Sequence, residues 1–195
     1  MSEARVFALV RAWESILPID RGERYEDPLM ERLGDRGTVH GGGTQLKEGG
    51  RIEHIDIELE LDDDDEVFGE VMGFLSQCGM PKRSELIVPR GEEELVYSFG
   101  VAEGVEIELA SVPETEVFDA LIEAIEEAAG EELDLRGPHV LKEGKLAFYV
   151  YSLDAEATWS TLAPVLEAHP LGRGAVVTVR CGHPDGEPRT VTVPS

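Results

Sequence analysis

Cysteine, aromatic and basic residues are scarce in this chain, and it has no long hydrophobic run. Its 195 residues include only two cysteines, Cys78 and Cys181, which lie far apart in sequence. We expect buried free thiols rather than a disulfide, because the N-terminal MSEARVFALVRAW has no secretory signal pattern and disulfides persist in oxidising compartments. No run of about 18 apolar residues is present, so the sequence predicts no membrane-spanning helix. These features together predict a cytoplasmic protein.

Basic residues are outnumbered by acidic ones, 17 against 41, which gives a formal net charge of −24. A protein that binds the nucleic-acid backbone needs a Lys or Arg near each phosphate that it contacts, so we expect no nucleic-acid partner. An anionic membrane surface is disfavoured for the same reason. The charge leaves a basic protein partner, a cation or simple solubility. Hydrophobic residues make up 42% of the chain but aromatic residues only 6%, so it can bury a core while offering few anchors for a large apolar ligand.

The most regular stretch runs from Val39 to Glu70. It begins within the segment Gly37–Leu46, which is rich in glycine and is predicted to be a strand with a kink or bulge. After a turn at 47–50, aliphatic residues alternate with acids from Ile55 to Asp62, the pattern of a strand with one buried and one solvated face. The acidic run Asp62–Asp65 then leads into an amphipathic helix, and we expect one of these aspartates to cap it.

Helix starts are also predicted elsewhere from the capping residues. Asp27 precedes Pro28, a pair that favours a helix N-terminus. Ser111 has the capping-box spacing to Glu114, with Thr115 as a competing cap for the helix that ends near Gly130. Asp154 is predicted to cap the helix that carries Trp159.

The turn and strand of the central stretch recur in the second half of the chain. The tetrapeptide LKEG occupies 46–49 and 141–144, and each copy precedes a long strand and an acid-capped helix. Both halves have the element order βαββαβ with an additional strand, provided that Arg5–Trp13 is a strand, as the repeat predicts. The predicted fold is therefore α+β: a tandem duplicated ferredoxin-like sandwich of antiparallel sheets with helices on one face. The predicted domains are residues 1–101 and 102–195.

Part of the first half resembles an uncharacterised family of bacterial proteins. The residues that carry the resemblance are YEDPLMERLGDRGTVHGGGTQL, IEHIDIELEL and GMPKRSEL. They match a Tyr-x-x-Pro-Leu segment, a Gly-Gly-Gly-Thr strand, an alternating acidic strand and a Gly-x-Pro-x-x-Ser stretch. The resemblance covers roughly residues 20 to 90 and implies a shared fold unit but no activity.

Two segments of the first half are candidate binding sites. Consecutive glycines let backbone N–H groups converge on an anion, so the glycine-rich segment Gly41, Gly42, Gly43 and Thr44 is a candidate ligand site. Its competing interpretation is a strand that another backbone approaches closely. The second candidate is an acidic partner-binding surface, made of Asp56, Glu58, Glu60, Asp62 and Asp63.

Catalytic and metal-binding patterns are weak. The run Asp62–Asp65 with Glu66 lacks the spacing of a calcium loop, and the five histidines show no zinc spacing, although His40 and His54 are expected to face each other across a hairpin. No GxSxG motif is present. The acid rows Asp56, Glu58, Glu60 and Glu106, Glu108 are interpreted as exposed charge rims rather than paired glycosidase carboxylates. We therefore expect no enzyme activity, no metal and no cofactor.

The leading hypothesis for function is an acidic, non-enzymatic module that binds a basic protein, as a toxin-immunity protein does, acting as a monomer or homodimer. The alternative is a domain that senses a small ligand or metabolite, with the glycine-rich strand allowing close approach of the backbone to the ligand.

Overall fold

The computed structural model describes residues 4–130, 133–183 and 185–194, which form two compact units. The first unit comprises Met1–Leu46 and Ile52–Ala102, and the second comprises Glu103–Ser195 together with the short segment Lys47–Arg51. The predicted boundary between residues 101 and 102 lies one residue from the division at Ala102. Lys47–Arg51, which the sequence placed in the first half, groups with the second unit.

The first unit is a five-stranded antiparallel sheet with helices packed on it. Its strands lie in the order β2-β3-β1-β4-β5. In chain order, the elements are β1 (Arg5–Ala12), α1 (Pro18–Arg21), a π-helical turn (Gly22–Glu26), α2 (Asp27–Leu33), a 3-10 turn (Gly34–Arg36), β2 (Gly37–Leu46), β3 (Ile52–Asp62), α3 (Asp65–Gln77), β4 (Ser84–Arg90) and β5 (Glu93–Phe99).

Alternation along β1 and β3 forms the core of this unit. The inward residues of β3 are Ile55, Ile57, Leu59 and Leu61, all fully buried, and they share a core with Phe68 and Leu75 of α3. The register of β1 against β3 places Val10 beside Ile57 and Ala8 beside Leu59. Burial of such side chains contributes roughly 25 cal/mol per Å² of apolar surface, and it fixes which face of each strand points inward. The predicted strand at Arg5–Trp13 is confirmed as far as Ala12.

The second unit has the same kind of sheet, with the strands in the order β10-β9-β6-β8-β7. Its core combines inward residues such as Val105 and Ile107 with Leu121 and Ile125 of α4 and Leu162 of α5. Its elements are β6 (Glu103–Leu109), α4 (Thr115–Ala129), β7 (Asp134–Val140), β8 (Leu146–Ser152), α5 (Ala155–Ala168), a 3-10 turn (Pro170–Gly172), β9 (Val176–Cys181) and β10 (Arg189–Thr192).

The two sheets repeat one arrangement. In each unit the first strand lies between the third and the fourth, the second strand is at one edge and the fifth at the other, and every neighbouring pair is antiparallel. The predicted α+β architecture, with two antiparallel sheets and an internal duplication, is confirmed at this level. The finer assignment to the ferredoxin-like topology stays a prediction.

The observed helix caps agree with the sequence predictions where the capping contact is local. Asp64 accepts a hydrogen bond from the Glu66 backbone N–H at 2.8 Å, and Asp154 accepts from the backbone N–H groups of Glu156 and Ala157 at 3.0 Å. The cap expected within Asp62–Asp65 and the cap predicted at Asp154 are therefore confirmed. The predicted cap at Asp27 is wrong, because the chain is already helical there. The residue before α4 is Glu114, and its side chain makes no capping hydrogen bond, so the proposed caps at Ser111 and Thr115 are also wrong. Among the described residues, no helix combines the length and apolarity needed to cross a bilayer.

Candidate functional site

The outward face of the first sheet carries the predicted acidic residues. Because Ile55, Ile57, Leu59 and Leu61 point into the core, the residues between them on β3 point away from it. The register then places Glu60 beside Phe7, Glu58 beside Leu9 and Asp56 beside Arg11. Antiparallel partners directly opposite each other point to the same side, so these β1 residues share the outward face.

The glycine-rich strand β2 lies next to these acids. Gly41 pairs with Glu58, Gly42 with Ile57 and Gly43 with Asp56, and a register shift between Val39 and Gly41 confirms the predicted bulge. The structure therefore brings the two predicted sites together on neighbouring strands. A Cβ added to Gly43 would meet no atom within 4 Å, so the space beside this residue is open.

Gly42 has a packing reason to be glycine. A Cβ at this position would lie 1.9 Å from the Asp56 carbonyl oxygen, closer than any van der Waals contact. Next to it, the buried Arg21 guanidinium donates to the Gly43 carbonyl oxygen at 2.8 Å and to Thr44 Oγ1 at 3.2 Å, while its Nε donates to Glu26 at 2.6 Å. The close approach of β2 to β3 thus explains the glycine at position 42, and Arg21 hydrogen-bonds to the two residues that follow it. Anion binding by the backbone amides of this segment stays a prediction.

Four of the five predicted partner-binding acids are paired with bases. Arg11 donates to both Asp56 oxygens, at 2.9 Å and 3.1 Å. The other pairs are Glu60 with His40 at 3.5 Å, Asp62 with Arg5 at 3.3 Å, and Asp63 with Arg90, whose hydrogen bond lowers the pKa of Asp63. Glu58 is exposed and has no ion-pair partner among the described residues.

An apolar strip crosses the same face at the level of Glu58. Leu9 pairs with Ile87, and Ile87 pairs with Val96, so three strands contribute one row of aliphatic side chains, with Phe7 one step along β1. Phe7 is 50% exposed and Val96 52% exposed, whereas Leu9 and Ile87 are half-buried. The sequence did not reveal this strip, because its members come from three separate strands whose pairing the sequence does not specify.

Carboxylates surround the apolar strip. We define the open face as the strip residues together with the acids that flank them on the same side: Phe7, Leu9, Ile87, Val96, Glu58, Glu60, Glu85 and Glu94. Two arginines share this side of the sheet, Arg5 and Arg11, and each is engaged by an aspartate, while His40 contacts Glu60 and His54 contacts Asp56. The open face is thus an apolar centre within a negatively charged rim.

A second acidic surface lies on α4 and has a different character. Its outward side carries Glu116, Asp119, Glu123, Glu126 and Glu127, all exposed, and the helix contains no basic residue. None of these five carboxylates is in an ion pair within the described ranges. Because Leu121 and Ile125 of α4 pack into the core of the second unit, this surface offers a partner mainly charge, with Val117 as its exposed large aliphatic residue.

The acid pair on β6 contradicts the sequence prediction of an exposed rim. The side chains of Glu106 and Glu108 are only 15% and 8% exposed. Arg51 contacts both carboxylates, with its Nε 3.0 Å from Glu106, and Lys145 Nζ lies 2.8 Å from Glu108. Burial is the main cause that raises the pKa of Glu106 above its ordinary value.

The remaining candidate groups do not assemble into a reactive centre. His40 and His54 are not cross-strand partners, because Gln45 pairs with His54 and His40 lies at the bulge; the predicted pairing is wrong. Both cysteines are free and half-buried, and burial raises the pKa of each thiol. In the part of the chain that the structure describes, no group of three or more His, Cys, Asp or Glu side chains is placed to hold a metal ion.

Comparison with known proteins gives only distant similarity. No protein-family model matches the chain, and no curated protein matches it. Among solved structures it is similar to an unknown protein from Galdieria sulphuraria, with 10% identity over 96% of this chain and 99% of the other and a TM-score of 0.29. It is also similar to a "Putative monooxygenase" from Fusobacterium nucleatum subsp. nucleatum, with 11% identity over 84% and 82% of the chains and a TM-score of 0.27. Scores this low carry no argument about function.

Proposed function

We propose that this protein is a non-enzymatic binding module whose open face docks a basic partner protein. The observation that carries the proposal is the exposed apolar strip of Phe7, Leu9, Ile87 and Val96, set within a rim of carboxylates. Exposed apolar residues that form a contiguous patch with a polar rim are typical of protein interaction sites.

The division of the open face into centre and rim matches how protein interfaces distribute their energy. Buried apolar anchors near the centre supply most of the affinity, and the rim supplies specificity. Phe7 is the natural anchor, because it is the largest side chain of the strip and half of it is accessible. Glu58, which is exposed and has no ion-pair partner among the described residues, is the carboxylate best placed to receive a Lys or Arg from a partner.

The charge of the whole chain supports the same kind of partner. A net charge of −24 attracts a basic protein over long distances and repels an acidic one, and such steering raises the association rate. A negative net charge together with an exposed apolar strip fits a protein that neutralises a basic protein in the cytoplasm, as an immunity protein does. Such a role requires binding only and no catalytic step.

Capture of a partner by the full chain tests the proposal. Wild-type protein is immobilised and exposed to lysate of the source organism, in parallel with Phe7→Ala, Glu58→Lys and Glu123→Lys. The last variant makes the same charge change as Glu58→Lys, but on α4, away from the apolar strip. Proteins retained by the wild type are identified by mass spectrometry, and their Kd values are measured by calorimetry at low and high salt.

We expect a basic partner whose affinity falls about tenfold or more with Phe7→Ala and with Glu58→Lys, since hot-spot truncations typically cost more than 1 kcal/mol. Glu123→Lys should reduce affinity only slightly, and added salt should weaken binding. If Glu123→Lys weakens binding as much as Glu58→Lys while Phe7→Ala has no effect, the open face is not the docking surface and only overall charge matters.

A further inference from the structure

The buried carboxylates of β6 line a pocket of about 370 Å³ in the second unit. We define the Glu106 pocket by the polar side chains that line it: Arg51, Glu106, Glu108, Lys145, Thr178 and Thr190. Glu48 and Glu143 also line it, and Val176 and Leu141 supply apolar wall. This volume lies within the range of small-molecule binding pockets.

Three neighbouring strands place polar groups in one row on the pocket wall. Glu106 of β6 pairs with Thr178 of β9, and Thr178 pairs with Thr190 of β10. Val177 and Val179, on either side of Thr178, point into the core, so Thr178 faces the pocket with Glu106. A carboxylate and two hydroxyls thus follow one another across the sheet at the spacing of directly opposed residues.

The two carboxylates of the pocket have different roles. Glu108 is engaged from two sides, by Lys145 and by Arg51, and this arrangement fixes the segment Lys47–Arg51 against the sheet. A further hydrogen bond from the Lys142 backbone N–H to the Gly49 carbonyl oxygen, at 3.1 Å, holds the same segment. Anchoring the segment therefore does not require Glu106. The bases that act on Glu106 are Arg51, which is shared with Glu108, and Lys47.

We propose that the Glu106 pocket binds a small molecule that carries a protonated amine, with Glu106 as the counter-charge and Thr178 and Thr190 as hydrogen-bond acceptors. An ammonium group has three donors and no acceptor, and this row offers it one charged and two neutral acceptors.

The charge balance of the pocket favours a cationic ligand over an anionic one. Four lining carboxylates, Glu48, Glu106, Glu108 and Glu143, face two lining bases, Arg51 and Lys145. With Lys47, whose charge also acts on Glu106, the formal charge is 3 − 4 = −1. Burial raises the pKa of Glu106, which means that its ionised form lacks full compensation in the pocket. A bound cation would supply that compensation.

A set of three probes with the same four-carbon chain isolates the effect of charge. These are 1,4-diaminobutane, 1,4-butanediol and succinate, which differ at their ends as cation, neutral alcohol and anion. Each is titrated into the full chain, and binding is followed through backbone amide chemical shifts. The variants are Glu106→Gln, Thr178→Val and, as a matched control for nonspecific attraction of a cation to an acidic protein, Glu123→Gln on α4.

We expect saturable shifts with 1,4-diaminobutane, centred on residues 106, 178 and 190, and none with succinate. Affinity should fall at least tenfold in Glu106→Gln and severalfold in Thr178→Val, and should be unchanged in Glu123→Gln. If Glu106→Gln does not fold, Thr178→Val, which keeps side-chain volume and removes only the hydroxyl's hydrogen bonding, decides the question. Absence of saturable shifts in the wild type, a preference for succinate, or equal loss of affinity in Glu123→Gln and the pocket variants would overturn the proposal.

Discussion

Glu58 and Glu60 on β3 lie in the open face of the first sheet, whereas Glu106 and Glu108 on β6 lie in a pocket of the second unit. On both strands the acids alternate with fully buried aliphatic residues, Ile57 and Leu59 in one case and Ile107 and Leu109 in the other. The inward halves of the two strands are therefore equivalent. The outward halves differ, because the acids of β3 lie on a solvated surface and those of β6 are largely buried.

Bases from distant segments of the chain cause this difference in exposure. Arg51 and Lys145 reach Glu108 from separate segments, and together with the sheet they enclose a carboxylate pair. Glu58 has no such partner among the described residues and is flanked instead by Leu9 on the neighbouring strand. The same residue type thus lies on an exposed surface in one unit and in a largely buried pocket in the other.

The largest expected effect on stability concerns strand β2, which pairs with β3 beside the open face. Gly42→Ala would place a Cβ 1.9 Å from the Asp56 carbonyl oxygen, so β2 and β3 would have to separate. We expect a loss of about 3 kcal/mol in the free energy of unfolding of the first unit, because overpacking against backbone cannot be relieved by a rotamer change. Denaturant unfolding followed by Trp13 fluorescence in a Trp159→Phe background would measure it, since the two tryptophans lie in different units.

Gly43→Ala is the matched control for this substitution. A Cβ there meets nothing within 4 Å, so its cost should stay below about 1 kcal/mol. Equal losses for Gly42→Ala and Gly43→Ala would show that the glycines are needed for something other than the close approach of two backbones.

The next largest expected effect is a difference in stability between variants of the acidic strands β6 and β3. Glu108→Gln removes the charge that Lys145 and Arg51 share, and we expect it to destabilise the second unit by about 1–2 kcal/mol. This expected loss of stability is smaller than for a fully buried ion pair, because both bases are partly exposed and can be solvated when the charged carboxylate is gone.

Glu58→Gln makes the same chemical change on the exposed strand. It should alter the free energy of unfolding by less than about 0.5 kcal/mol, as is usual for surface substitutions. Thermal and denaturant unfolding of the two variants would check the contrast. Two variants of equal stability would mean that the ion network around Glu108 does not stabilise the unit and that the environments of the two strands are energetically alike.

Local patterns in the sequence predicted much of the fold. Alternation identified the inward face of β3, and the caps within Asp62–Asp65 and at Asp154 were predictable because their contacts span only two or three residues. Asp27 failed as a cap because a π-helical turn precedes it and continues the helix, an irregularity with no signal in the side-chain pattern.

The outward faces could not be predicted in the same way. Period-two alternation shows that two faces differ, but it does not show what covers the second one. Arg51 and Lys145 lie far from Glu106 and Glu108 in sequence, so no local window contains the charge pairing that encloses them. The apolar strip depends on the pairing of β1 with β4 and of β4 with β5, and residues such as Phe7 and Val96 look like core when each strand is considered alone.

The smallest expected effect is a difference in the direction of pH dependence. Burial raises the pKa of Glu106 above its ordinary value of 4.5, so the protonated form favours the folded state and ionisation costs stability. As the pH falls from 7 towards 4.5, the wild type should therefore gain stability relative to Glu106→Gln, whose side chain does not titrate.

Asp63, beside the open face, should show the opposite dependence. The hydrogen bond from Arg90 lowers the pKa of Asp63 below 3.8, so its contribution to stability is complete above that pH and is lost as the pH falls through the lowered value. The advantage of the wild type over Asp63→Asn should accordingly be constant between pH 7 and 5 and shrink below about pH 4. Unfolding free energies of the wild type and both variants across this range provide the measurement. If the Glu106 and Asp63 differences changed in the same direction with pH, the buried and exposed carboxylates would not occupy opposite electrostatic environments.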